Sequence, residues 1–108
     1  MLREWMCVAV VDVTVVPVGT QSAGLSEYVA GCVKVLQEAK GVSYQLTPMS
    51  TIIEGELGLI LELVREMHEQ PFLKGAVRVV TTVRIDDRRD KKLTMSGKVA
   101  ALEARLHV

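Results

Sequence analysis

The chain has 108 residues, 49% of them hydrophobic and 24% charged, with thirteen basic and thirteen acidic side chains. That length suits one domain whose core covers roughly two thirds of the unfolded surface, and the charge balance excludes both a basic nucleic-acid footprint and an acidic disordered tail. Trp5, Tyr28, Tyr44 and Phe72 are the whole aromatic complement, too few for the base-stacking platforms of RNA-binding domains, so no nucleic-acid partner is expected.

From Trp5 to Val18 the run WMCVAVVDVTVVPV is rich in β-branched residues and has no helix-type charge pattern, so it reads as a long strand. Its odd positions, Cys7, Ala9, Val11, Val13 and Val15, are wholly apolar and are expected to face helices. The even positions Met6, Val8, Val10 and Val16 are apolar too, with Asp12 and Thr14 between them, which implies that something covers the second face. Asp12 and Thr14 also break the apolar run at strand length, so neither a membrane span nor a leader is predicted and a soluble cytoplasmic protein is expected. Cys7 and Cys32 lie in apolar runs with no further cysteine or nearby histidine to complete a metal set, and are expected to be buried free thiols.

Pro17 and Gly19 end the strand, and Ser26 caps a helix on which Val29, Cys32 or Val33, and Leu36 repeat until Lys40 and Gly41 stop it. The intervening hydroxyls of Thr20, Ser22 and Ser26 suit ordinary capping, with an anion or ligand as the alternative. A strand from Val42 to Thr47 must end at Pro48, which cannot donate to a sheet ladder. Met49 and Ser50 make the reversal and a short strand runs from Thr51 to Glu54. Gly55 is expected to free the backbone to turn into a helix at Glu56, placing the Glu54 carboxylate beside that helix's N-terminus.

That helix carries Leu57, Ile60, Leu61, Val64 and Met67, with Pro71 closing it after Gln70. His68 has no ligand at i+4, so no metal role is expected. Ala76 to Asp87 reads as the last strand, Arg78, Val80, Thr82, Arg84 and Asp86 sharing one face. The following charges, DDRRDKK, read as a solvated turn or an intersubunit salt-bridge cluster, with an anion site at Arg88 and Arg89 as the alternative. A third helix from Thr94 to His107 carries Met95, Val99, Leu102 and Leu106 on one stripe.

The order βαββαβ followed by α predicts an α+β, ferredoxin-like fold: an antiparallel four-stranded sheet with two helices on one face and an added C-terminal helix. Val8, Val10, Val16 and Val80 then lie on the helix-free face, so a homodimer or homotetramer formed through that face and the C-terminal helix is expected. No Ser/His/Asp or Cys/His set and no phosphate-cradling glycine motif can be named, which points away from an enzyme. A small-molecule binding module and a structural or regulatory oligomer remain.

The segments PVGT at 17 to 20, SEYV at 26 to 29, LTPMSTIIEGE at 46 to 56 and VVTTVRIDDRRD at 79 to 90 together resemble the YkoF-like thiamine-binding family over nearly the whole chain. The resemblance implies a small ferredoxin-like oligomer that binds thiamine or its hydroxymethylpyrimidine half without catalysing a reaction and without a further cofactor or membrane partner. An aminopyrimidine needs an acceptor for its amino group, a hydroxyl or amide for its ring nitrogens and an apolar wall, which Glu54, Thr51 and Met49 can supply. The thiazolium cation favours nearby negative charge, for which Asp86 or Asp12 is available, and Tyr28 or Thr20 can close the pocket.

Overall fold

The computed structural model describes residues 8–19, 26–90 and 94–106. Strand β1 (Val8–Pro17) lies between β3 (Thr51–Glu56) and β4 (Val79–Asp86), and β2 (Val42–Leu46) pairs with the far side of β3, giving the order β2-β3-β1-β4. All three pairings are antiparallel. Helices α1 (Ser26–Glu38) and α2 (Leu57–Leu73) supply the crossovers and α3 (Met95–Leu106) follows β4, so the fold is the expected ferredoxin-like α+β arrangement with an added helix.

Periodicity decides which face is which. Ala9, Val11, Val13 and Ile53 are buried under the two crossover helices, where Cys32, Leu36, Ile60, Leu63, Val64 and Met67 complete the core. The alternate residues of β1 meet the other face, and there Val10 is buried while Val16 is exposed, as is Val80 of β4. No helix among the described residues is long and apolar enough to cross a membrane.

Three places differ from the sequence expectation, and the expected start of the first strand is not among the described residues. Residues 5 to 7 of the expected first strand, Cys7 among them, lie outside the described residues, and β4 starts at Val79 rather than Ala76. Ala76 is instead held to the end of α2, its N–H donating to the Pro71 carbonyl at 3.0 Å, after Gly75 has turned the chain at φ +97°. Gly55 does not turn the chain: it is a residue of β3, where a Cβ would meet Val42 Cγ1 at 2.8 Å and the Gly41 carbonyl oxygen at 3.2 Å, so it is small because β2 packs closely against it. Glu56 is accordingly the last strand residue and the N-cap of α2, accepting from the N–H groups of Gly58 at 2.9 Å and Leu59 at 2.8 Å.

The third difference is Pro71, which lies buried inside α2 instead of ending it at Gln70. Proline lacks the N–H that would reach the carbonyl four residues back, which is that of Met67. The Cys32 thiol donates to that Met67 carbonyl at 3.3 Å, so a side chain of α1 replaces the missing backbone donor. A helix can run through the proline because a neighbouring helix satisfies the freed acceptor.

Candidate functional site

The reversal between β2 and β3 is a two-residue turn, Pro48–Met49, and Thr47 clamps it. The Thr47 hydroxyl donates to the Ser50 carbonyl at 2.8 Å and accepts from the Ser50 N–H at 3.0 Å and the Met49 N–H at 3.3 Å, while the Thr47 N–H reaches the Ser50 carbonyl at 2.9 Å. Proline fixes the first turn position, and no residue but glycine has positive φ in the described chain, so the side-chain clamp takes the place of the left-handed turn that tight hairpins prefer.

Because the hairpin turns at 48–49, β3 is shorter than β1. Its pairing with β1 stops at Val13 opposite Thr51, and β1 continues to Pro17 with β4 alone on its other side. The space beside the unpaired part of β1 is a cavity of about 420 Å³. Val29, Cys32 and Val33 of α1 and Met67 of α2 wall it with carbon and sulfur, and Thr47, Ser50 and Thr51 place hydroxyls at its hairpin side. A concave, mainly apolar space of this size with a few polar groups is the usual form of a small-ligand site.

A second and more open cleft, about 480 Å³, lies on the opposite face of the sheet between Gln45, Glu54 and the α3 residues Met95, Ser96, Val99, Ala100 and Glu103. The α3 helix is moored here by carboxylates. The Met95 N–H donates to Glu54 Oε2 at 3.4 Å and the Lys98 ammonium pairs with Asp86. Glu54 and Asp86 flank Val10 in register on either side, so the two anchors bridge that valine. Glu54 does stand at a helix N-terminus, but it is that of α3 rather than of α2.

The residues singled out from the sequence are therefore divided between two places. Met49 and Thr51 line the cavity, whereas Glu54, three residues from Thr51, points to the other face and lines the cleft with α3. Asp86 shares that second face through its pairing with Lys98. Tyr28 is buried in α1 without lining either space, and Thr20 lies outside the described residues. Arg88 pairs with Asp90, which raises the guanidinium pKa above its ordinary value, and Arg89 pairs with Asp87 at 2.8 Å, so each arginine has a local carboxylate partner two residues away.

Two groups near the hairpin titrate abnormally. The Asp12 carboxyl is held below the usual carboxylate range, first by the Ser50 hydroxyl and then by the Arg84 guanidinium, whose Nε donates to Oδ2 at 2.9 Å. Asp12 Oδ1 is buried with no hydrogen-bond partner among the described residues. Burial pushes the Cys32 thiol up, with Lys74 opposing it, so the cysteine in the cavity wall is a neutral donor rather than a nucleophilic thiolate. His68 is occupied structurally, its Nδ1 lying 2.7 Å from the Thr81 hydroxyl and its ring edge-on to Phe72. Among the described residues no three His, Cys, Asp or Glu side chains could hold a metal ion together.

The sequence reading missed the five-residue stretch Val13 to Pro17 as a site element. A signal was present, since Pro48 fixes where β3 can begin and therefore how far β1 outruns it, but reading it requires the register.

A profile of the family described as thiamine-binding protein matches residues 11–103. The UPF0045 protein YqgV of Bacillus subtilis is 48% identical over 101 residues, covering 91% of this chain and 97% of its own, and a UPF0045 protein of Staphylococcus xylosus is 50% identical over 102 residues, covering 92% and 95%. Among solved structures, a hypothetical protein of Methanocaldococcus jannaschii superposes with TM-score 0.81 at 31% identity, over 90% of this chain and 97% of that one. A candidate thiamine biosynthesis/salvage protein of Thermotoga maritima superposes with TM-score 0.73 at 25% identity, over 88% and 98%.

Proposed function

The chain belongs to the thiamine-binding protein family, and from that membership we propose that it is a non-catalytic binding protein for thiamine or the hydroxymethylpyrimidine half of it, held in the cavity beside β1. The observation that carries this reading is the cavity itself. Its walls from α1 and Met67 suit the faces of a flat ring, and the hydroxyls of Ser50 and Thr51 gather on one side where ring substituents need partners. The family description and the Thermotoga neighbour's assignment to thiamine biosynthesis or salvage agree on the ligand class.

We further propose that copies of the chain associate over the helix-free face. Val16 and Val80 are exposed there, and α3 buries none of its residues although Val99, Leu102 and Leu106 form a stripe. Light scattering at micromolar concentration tests this, a monomer being the result against it.

The ligand reading is tested by calorimetry with thiamine, hydroxymethylpyrimidine and thiamine diphosphate, on the parent protein and on Thr51→Trp, which fills the cavity from its hairpin side. Binding by the parent and its loss in Thr51→Trp, with the circular dichroism spectrum unchanged, is the expected result. Binding undiminished in Thr51→Trp but lost in Glu54→Gln moves the ligand to the cleft under α3.

A further inference from the structure

We propose that the hydrogen-bonding edge of β1 at Val15, which has no ladder partner among the described residues where β3 stops, is the element that recognises the ligand, and that it selects a flat heteroaromatic ring carrying an amino donor beside a ring-nitrogen acceptor. This rests on the proposed function for the choice of cavity and adds to it the atoms that read the ligand.

Hydrogen-bond direction along β1 follows from two independent markers. The Val18 N–H donates to the Arg78 carbonyl at 2.9 Å, which fixes the even-numbered residues of β1 as the ones whose backbone groups point to β4. The odd-numbered residues then point to β3, because backbone groups alternate sides along a strand. From the other end, the Thr47 N–H donates to the Ser50 carbonyl, which assigns even residues of β3 to β2 and leaves Thr51, Ile53 and Gly55 to bond β1 at Val13, Val11 and Ala9. Both markers give the same alternation.

Continuing the register by two residues puts Val15 opposite Met49, which is in the turn and pairs with nothing in the sheet. Among the described residues the N–H and C=O of Val15 therefore face the cavity with no ladder partner. Pro17, the next residue on that side, contributes a carbonyl and has no N–H to leave unpaired, which is where proline is tolerated in a strand. The shape of the cavity agrees: it touches Val13, Thr14, Val15, Val16 and Pro17 in succession, both faces of the strand alike, as only a space running along the strand's edge can.

An N–H donor and a C=O acceptor presented side by side on a rigid strand match a ring on which an amino group adjoins an unprotonated nitrogen. The amino group donates to the Val15 carbonyl and the ring nitrogen accepts from its N–H, while the Pro17 carbonyl is free for the second amino hydrogen. Backbone recognition needs no charged residue, which is consistent with a cavity whose described lining includes no carboxylate while Glu54 and Asp86 are engaged by α3 on the other face.

The test is amide hydrogen exchange by NMR on the full chain, with and without hydroxymethylpyrimidine, together with calorimetry on an analogue that lacks only the amino group. The Val15 amide is expected to exchange fast in the free protein and to slow at least tenfold when the compound binds, and removal of the amino group to weaken binding about ten- to hundredfold. Replacing the Val15 peptide N–H by an ester oxygen should weaken binding comparably without loss of fold, since that N–H takes no part in the ladder. If hydroxymethylpyrimidine binds in a manner lost in Thr51→Trp, yet Val15 exchange is unchanged and the deamino analogue binds equally well, the edge reading is overturned and the proposed function stands. If cytosine, which has the same amino and ring-nitrogen pair, binds as tightly, the edge reading stands and the thiamine assignment falls. If no pyrimidine binds, both fall.

Discussion

Both faces of the sheet carry valines of β1, but the outer face also carries Asp12, Glu54, Arg84 and Asp86, and the two faces are held in different ways. On the inner face, side chains from β1, β3, α1 and α2 exclude water together, and the cavity is a gap left at the edge of that packing. On the outer face, α3 is tied down at its first turns by Glu54 and Asp86 and buries none of its own side chains. Apolar sequence alone therefore does not make a core. A face becomes one only where a second apolar surface reaches it, and on the outer side the chain itself supplies little more than cover for Val10.

The sharpest way to break this contrast is to make the same kind of deletion on both sides. Ile53→Ala removes a fully buried side chain and is expected to cost about 2 to 5 kcal/mol by urea denaturation, whereas Leu102→Ala, on a side chain 59% exposed, is expected to cost no more than about 0.5 kcal/mol in the monomer. A large Leu102→Ala effect that grows with protein concentration would mean that a second copy completes the outer face as a core.

Next in size is the thiol that allows α2 to pass through Pro71. Cys32→Ala leaves the Met67 carbonyl buried without a donor and is expected to cost about 1 to 3 kcal/mol, while Cys32→Ser restores an O–H donor and recovers part of the loss. Equal destabilisation by the two variants would show that packing, not the hydrogen bond, is what Cys32 supplies. Because Cys32 also walls the cavity, the alanine variant enlarges it, so ligand affinity and stability should fall together here and nowhere on the outer face.

What could be read in advance divides along the same line. The order of elements, the inner-face valines and the two crossover helices follow from local periodicity, and all are present. Gly55 and Glu56 were legible as special but not in their roles, because a glycine that permits a turn and one that permits close strand packing look identical until Val42 is placed beside it. Pro71 reads as a helix stop because its rescue by Cys32 comes from 39 positions away. The parity of Thr51 and Glu54, three apart on one strand, already forbids their lining one face. The bare edge at Val15 has no compositional mark, since it is defined by where another strand ends.

Acid should act at β1 and at the start of α2. The folded-state pKa values of Asp12 and Glu56 lie below their ordinary values, Asp12 through Ser50 and Arg84, Glu56 through the N–H groups of Gly58 and Leu59. Each therefore contributes stability that is fully present above the unfolded carboxylate range and is lost as pH falls through the folded value. The urea midpoint should drop between pH 7 and pH 3, and Asp12→Asn with Glu56→Gln should flatten that drop. A double variant with the full pH dependence would place the responsible carboxylates elsewhere.

The smallest expected effect concerns the mooring of α3. Lys98 and Asp86 are each about half exposed, and an ion pair in that setting contributes about 0 to 1 kcal/mol and is screened by salt. Lys98→Ala should therefore barely move the urea midpoint, yet it frees one of the two anchors that hold α3 across Val10, and the helix's remaining described tie to the sheet is the long Met95 to Glu54 bond. Amide exchange in α3 is the measurement that resolves so small a change: protection should fall there and at Val10 while the inner-face strands keep theirs. Loss of protection confined to α3 and Val10 supports a helix held by charge at its start, and unchanged protection would mean that its apolar stripe is already seated on another surface. Val10→Lys distinguishes the two cases further. Val10 is only 8% exposed and lies in register between the two carboxylates that anchor α3, so a lysine there is expected to disturb those anchors within one chain as well as any contact between chains.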